Sequence, residues 1–226
     1  MYFRGQFQSS KFKVQRSKAT DNYIIYIFIE QSRRDNILIT PHKATAAVWG
    51  SETKKNMKRI INPWVGNTKG YNCFGCCPDN PSGAHMNFFW DGEQVVSVWK
   101  ANPNFVSWID TLHGGLQATL LDEICGWVVF YQLQTSGVTA KMEMRYRKPV
   151  STLWPYIRLN GRLVEQRHNV AVVHGEILSP EGVCCAECTC TYFVFTDEKS
   201  REMGYMPAVL DDVELTLDEA VALLGR

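Results

Sequence analysis

The chain has 226 residues and is 45% hydrophobic, which suits one sizeable globular domain with some additional sequence. Its net charge of +1 gives no global attraction for nucleic acid. No apolar run reaches the roughly 18 residues of a membrane-spanning helix; the best candidate, Tyr23–Ile29, stops at Glu30.

Residues 1–56 are the least domain-like part. They hold 10 Lys/Arg against 4 Asp/Glu, a charge of +6, while the remainder holds 14 against 19, a charge of −5. Up to Thr20 there are five basic residues and no acid, with several serines, a composition vaguely like an organelle transit peptide. The run Tyr23–Ile29 reads as a strand without an evident partner. The segment is expected to be a dispensable basic extension, with Met57 a plausible alternative start.

Residues 60–83 are rich in Asn, Gly and Pro and read as loop with a short helix. The eight cysteines cluster as Cys73, Cys76 and Cys77, then Cys125, then Cys184, Cys185, Cys188 and Cys190. The chain is too long and too apolar for a disulfide-stapled secreted scaffold, so reduced thiols in a cytoplasmic protein are expected. Cys73-x-x-Cys76 with Cys185-x-x-Cys188 has the pair spacing of a tetrathiolate zinc site. Against that, the pairs lie more than a hundred residues apart, and the second sits in a strand where Cys188, Cys190 and Tyr192 share one face. The reading therefore expects no metal.

Further along, Asp91-Gly92 marks a hairpin between Met86–Trp90 and Val95–Trp99. A loop over 100–112 leads to a helix from Gly114 to Gln132. Residues 138–148 alternate as a strand, with Ala140, Met142, Met144 and Tyr146 toward the helix and Lys141, Glu143, Arg145 and Arg147 away from it. Strands are expected over Tyr156–Gln166, Asn169–Leu178 and Val183–Phe195, the last after the turn Pro180-Glu181-Gly182. Thr216-Leu217-Asp218-Glu219 is a capping box opening a short terminal helix. Strand, strand, helix, then four strand-like runs give an α+β domain with one helix against an antiparallel sheet. The boundaries read 1–56, 57–200 for the domain, and 201–226 for a tail with a short helix.

The chemistry concentrates on the central helix. It is apolar on nearly every side, so a carboxylate in its middle is costly unless solvated, paired or functional. Gly115, Ala118, Thr119, Asp122 and Gly126 share one face, which places Asp122 beside a groove of small residues. The free N–H groups of the helix start lie near Gly114 and Gly115, ready for a developing negative charge. Glu123, about 100° round the helix, is the rival acid, its plainer reading being an ion pair. Arg145, Arg147 and Lys148 form the densest cationic cluster, with Arg162 and Arg167 as helpers; they are candidates for phosphate or an ordinary solvated face. No Walker or dinucleotide glycine pattern is present.

His113-Gly114-Gly115 with an acid nine residues after the histidine resembles the hotdog-fold acyl-CoA thioesterases of the PaaI type. Cys73-Phe74-Gly75-Cys76 with Asn80-Pro81-Ser82-Gly83, and the strand Val138–Val150, extend the resemblance over roughly residues 70–196. It implies a hotdog fold, with one long central helix packed on a curved antiparallel sheet. It also implies hydrolysis of an acyl- or aryl-acyl-CoA to free acid and CoA, with no cofactor because CoA belongs to the substrate. Asp122 is then general base or nucleophile, and the Gly114 N–H is the oxyanion donor. Gly115 lies against the substrate, and His113 orients the loop or contacts the thioester, although a turn histidine satisfied by backbone is an equal reading. Thr139 stands where similar enzymes place an assisting hydroxyl, although a plain strand threonine is an equal reading. Ser107 stands where some relatives have asparagine. A homodimer or homotetramer with sites at subunit interfaces is implied too. The alternative is a non-catalytic acyl-CoA-binding or regulatory hotdog module.

Overall fold

A computed structural model describes residues 55–224 and, before them, only the backbone of Val14–Gln15 and Tyr26–Ile27. Those two pairs form a two-rung antiparallel ladder, Val14 opposite Ile27, so part of the apolar run does find a strand partner. The other expectations for the first 54 residues lie outside the described residues.

From Met57 onward the elements run β1 (Met57–Ile61), β2 (Phe88–Trp90), β3 (Val95–Trp99), a 3-10 turn (Pro103–Phe105), β4 (Val106–Trp108), β5 (Thr111–Leu112) and α1 (Gly114–Gln132). They continue with β6 (Gly137–Tyr146), β7 (Ile157–Arg167), β8 (Val170–Leu178), β9 (Cys184–Val194), α2 (Asp197–Glu202), β10 (Val209–Leu215) and α3 (Leu217–Ala222). Eight strands make one sheet in the order β10-β1-β2-β3-β7-β8-β9-β6, with every neighbour antiparallel. β4 and β5 form a small separate ladder. One long helix held against an antiparallel sheet is the hotdog arrangement, as expected.

The helix is fixed by what it buries. Leu120, Leu121, Ile124, Cys125 and Val128 are fully enclosed, and burying each large aliphatic side chain contributes about 1.5–3 kcal/mol. They face β7 and β8, where two strand positions carry no side chain. A β-carbon at Gly175 would stand 2.9 Å from Cys125 Sγ, and one at Gly161 would stand 3.0 Å from a Val128 methyl. The helix backbone can therefore lie close to the sheet.

Alternation along β2 and β3 builds a second layer. Phe88, Val95 and Trp99 face the main core with α1. Phe89, Val96 and Val98 face the other side, where they join Met57 and Ala220. Helix α3 covers that outer face, and both faces of this end are buried, which explains the unbroken apolar run Val95–Trp99.

Residues 62–83 hold no helix, residues 100–112 hold a 3-10 turn and the β4–β5 ladder, and two further segments also differ from the sequence reading. Residues 57–61 form a strand paired to β2, although the Asn/Gly/Pro-rich stretch that follows them reads as loop. Residues 201–226, read as a tail with a short helix, also supply strand β10, which closes the sheet by pairing with β1. The capping box is formed as expected: Thr216 Oγ1 accepts from the Glu219 N–H at 3.3 Å, and Glu219 Oε2 accepts from the Thr216 N–H at 2.7 Å. Thr216→Ala is expected to cost about 1 kcal/mol. Hydrogen exchange should show faster exchange confined to α3 and the strands beneath it.

Candidate active site

The helix start is organised by its own loop. His113 is the N-cap, and its Nδ1 accepts from the Gly115 N–H at 3.0 Å. This bond is what a turn histidine satisfied by backbone makes, and it is equally compatible with a loop-orienting role. The Tyr146 hydroxyl donates to the Gly114 carbonyl at 3.0 Å, and Thr119 Oγ1 donates to the Gly115 carbonyl at 3.0 Å. The N–H of Gly114, the first helical residue, has no hydrogen-bond partner among the described residues. It is one of the unspent donors that every helix start presents.

Two turns into α1, Asp122 Oδ1 accepts from Thr139 Oγ1 at 2.8 Å and from the Tyr192 hydroxyl at 3.3 Å. Tyr192 also donates to the Asp122 carbonyl at 3.0 Å. Among the described residues Oδ2 has no partner. The surrounding helix face is the small one: Gly115 is exposed, and Ala118, Thr119 and Gly126 are partly so.

Thr139 reaches Asp122 because the ladder is irregular. Cys190 pairs with Met142, but Tyr192 pairs with Thr139, so three residues of β6 span two of β9. Ala140 lies within this bulge and is exposed, which corrects the expectation that it faces the helix; Met142, Met144 and Tyr146 do lean inward. The extra residue turns Thr139 to the face of Tyr192, whereas strict alternation would leave it with Lys141 and Glu143. Tyr192, opposite Thr139, is the site residue that sequence reasoning missed. Its signal was present, since alternation with Cys188 and Cys190 put it on the helix-facing side. Burial in first place pushes its phenol well above the ordinary range, so it acts as a donor.

Gly114 and Asp122 are separated by eight helical residues, about 12 Å along the axis. A single chain therefore does not aim both groups at one carbonyl. Of the cations, Arg147 is paired with Glu187 at 2.5 Å, while Arg145 and Lys148 are exposed beside it. They flank Tyr146 and so lie at the helix-start end of β6. Arg162 pairs in register with His174, and Arg167 bridges Glu165. Ser107 is spent on the Thr111 carbonyl at 3.4 Å.

Among the described residues of one chain, Glu123 makes no ion pair. Its carboxylate receives Trp127 Nε1 at 3.2 Å and Cys73 Sγ at 3.6 Å. Burial, then the charge of Cys73, pushes its pKa up to about 7. Trp127 is itself fully inside, stacked on Phe88, and so lines no open pocket. A cavity of about 1140 Å³ lies elsewhere, between Arg59, Lys100, Phe105 and α3, and Gly114, Asp122, Glu123, Thr139 and Tyr192 do not line it.

Fold and site define a hotdog domain with a hydroxyl-held carboxylate on the small-residue face of its central helix. Residues 109–186 match the family model described as thioesterase superfamily. No curated protein matches the chain. Among solved structures, a protein from Bacillus halodurans determined with CoA is 30% identical, over 44% of this chain and 70% of that one, with a TM-score of 0.40. A hypothetical thioesterase from Streptococcus pneumoniae TIGR4 determined with coenzyme A is 29% identical, over 45% and 81%, with a TM-score of 0.43. A further thioesterase superfamily protein is 23% identical, with a TM-score of 0.48; the match takes in 52% of this chain and 57% of that one. The chain has the hotdog fold, and its residues 109–186 are similar to the thioesterase superfamily. Among the described residues no helix is long and apolar enough to cross a membrane.

Proposed function

We propose that the protein hydrolyses an acyl-CoA or aryl-acyl-CoA thioester to free acid and CoA. The observation that carries this reading is Asp122: a carboxylate on the open face of an otherwise buried helix, with one oxygen fixed by two hydroxyls and the other unengaged. Pure binding would not require an acid there. The match of residues 109–186 to the thioesterase superfamily model supports the reaction class.

In the general-base route, Asp122 Oδ2 takes a proton from water as the water oxygen bonds to the thioester carbonyl carbon. The C–S bond then breaks, and the proton passes from Asp122 to the departing CoA thiolate. In the nucleophilic route, Oδ2 itself attacks the carbonyl carbon and the C–S bond breaks to expel CoA thiolate; water then hydrolyses the mixed anhydride, restoring the Asp122 carboxylate and supplying the proton that the thiolate takes up. The carbonyl oxygen gains charge in either case, and the Gly114 N–H is the donor suited to it. Because Gly114 and Asp122 of one chain stand about 12 Å apart, the complete site draws one from each of two copies in a homodimer or homotetramer. Gly115 lies against the thioester, and Arg145, Lys148 and Arg147 meet the CoA phosphates. No cofactor takes part.

The test is turnover on a panel of short, long and aryl acyl-CoAs, followed by loss of thioester absorbance. Release of CoA from at least one member, at a kcat on the order of 1–1000 per second, is expected. Tight binding of acyl-CoA with no turnover on any member would make the protein a binding module instead.

A further inference from the structure

We propose that Cys73, Cys76 and Glu123 form a metal site for a zinc-like divalent cation, tying the 71–77 loop to helix α1 one residue beyond Asp122. The sequence argues against zinc because the two Cys-x-x-Cys pairs lie far apart. In the fold they are not partners: Cys188 lies with Cys125 and Cys190, while Cys73 and Cys76 meet a carboxylate.

The three ligand atoms lie within 4.8 Å of one another. Cys73 Sγ stands 3.6 Å from Glu123 Oε1 and 3.8 Å from Oε2. A tetrahedral centre with zinc–sulfur bonds of about 2.3 Å and zinc–oxygen bonds of about 2.1 Å places sulfur and oxygen about 3.6 Å apart. The loop backbone lies close against the carboxylate: a β-carbon at Gly75 would stand 2.3 Å from the Glu123 carboxyl carbon and would displace it.

The surroundings hold the ligands as a metal site requires. The Tyr71 hydroxyl lies 3.0 Å from Cys76 Sγ, and Asn62 Nδ2 donates to both, at 3.0 Å to Tyr71 and 3.7 Å to the sulfur. Such outer hydrogen bonds fix ligand orientation. Cys73 is only partly buried, which leaves a path in; the fourth position of the tetrahedron falls to water.

The Cys125, Cys188 and Cys190 cluster is the competing location. Its sulfurs also approach to 3.7 Å, but all three residues are sealed in the core, where cysteine packs as a small hydrophobe.

The test is metal analysis of the full chain purified under reducing conditions without chelator, with Co²⁺ titration of the stripped protein. About one zinc per chain is expected, with thiolate-to-cobalt charge-transfer absorption and the d–d bands of a tetrahedral centre. The double variant Cys73→Ser, Cys76→Ser should lose both, Cys188→Ser should keep both, and Glu123→Gln should weaken Co²⁺ binding at least about tenfold. Clearly substoichiometric zinc with no charge-transfer band in the folded wild type would overturn the site. So would full zinc in the double variant. If the double variant does not fold, the wild-type Co²⁺ spectrum and the Glu123→Gln titration decide. The readout is the metal itself, so its failure is separate from any failure of thioester hydrolysis.

Discussion

Asp122→Asn is expected to reduce kcat for thioester hydrolysis by about a hundredfold or more, with little change in stability. The amide has the carboxylate's shape, and its oxygen can still accept from Thr139 and Tyr192, which approach Oδ1 at 2.8 and 3.3 Å. What disappears is the oxygen that takes a proton or attacks. General-base catalysis contributes about 100- to 10,000-fold, so a hundredfold loss, about 2.7 kcal/mol of barrier, is the lower bound. A parallel fall in kcat and kcat/KM would mark an interaction made in the transition state, whereas a rise in KM alone would reduce Asp122 to a binding group. Activity that survives the substitution would remove the residue from the chemistry. Glu123 is a poor successor, because its carboxylate is already engaged by Trp127 and Cys73.

The largest effect on stability is expected at Trp127. Its ring is 1% exposed, stacks on Phe88 at 4.5 Å, and meets Trp64 and Phe130 edge-on at 6.1 and 6.0 Å. Trp127→Ala removes the centre of that aromatic cluster and leaves a cavity between helix and sheet. Such truncations cost about 3–5 kcal/mol, a large share of the roughly 5–15 kcal/mol by which domains are stable. It also strips the Glu123 carboxylate of its indole donor, so the upper half of that range applies. Urea unfolding monitored by far-ultraviolet circular dichroism would measure it. Trp127→Phe, which keeps an aromatic ring, should cost less and serves where the alanine variant does not fold. A loss below about 1 kcal/mol in the alanine variant would mean that the core collapses freely around the gap.

Much of this protein is determined locally. The span Gly114–Gln132 is written in two glycines followed by an apolar run of helical length, and the structure has the helix over the same residues. The strands after it are written in alternation, and the terminal helix in the Thr216–Glu219 box. The small face around Asp122 is likewise a matter of helical spacing alone. These features need only neighbours a few residues away, and a single sequence displays such neighbours directly.

Other features depend on partners distant in the chain. β1 and β10 lack a strong pattern of their own and pair with each other although about 150 residues apart, β1 also pairing with β2. Thr139 lies on the wrong side of its strand by simple alternation; only the bulge opposite Tyr192 turns it to Asp122. Glu123 gives no sign in the sequence of meeting Cys73, 50 residues earlier. The sequence by itself determined the helix, most of the strands and the position of the acid, because local spacing sets them. The tertiary structure decided which hydroxyls hold that acid and which thiols meet its neighbour, because a ladder's register and a loop's landing place are set by packing across the whole sheet.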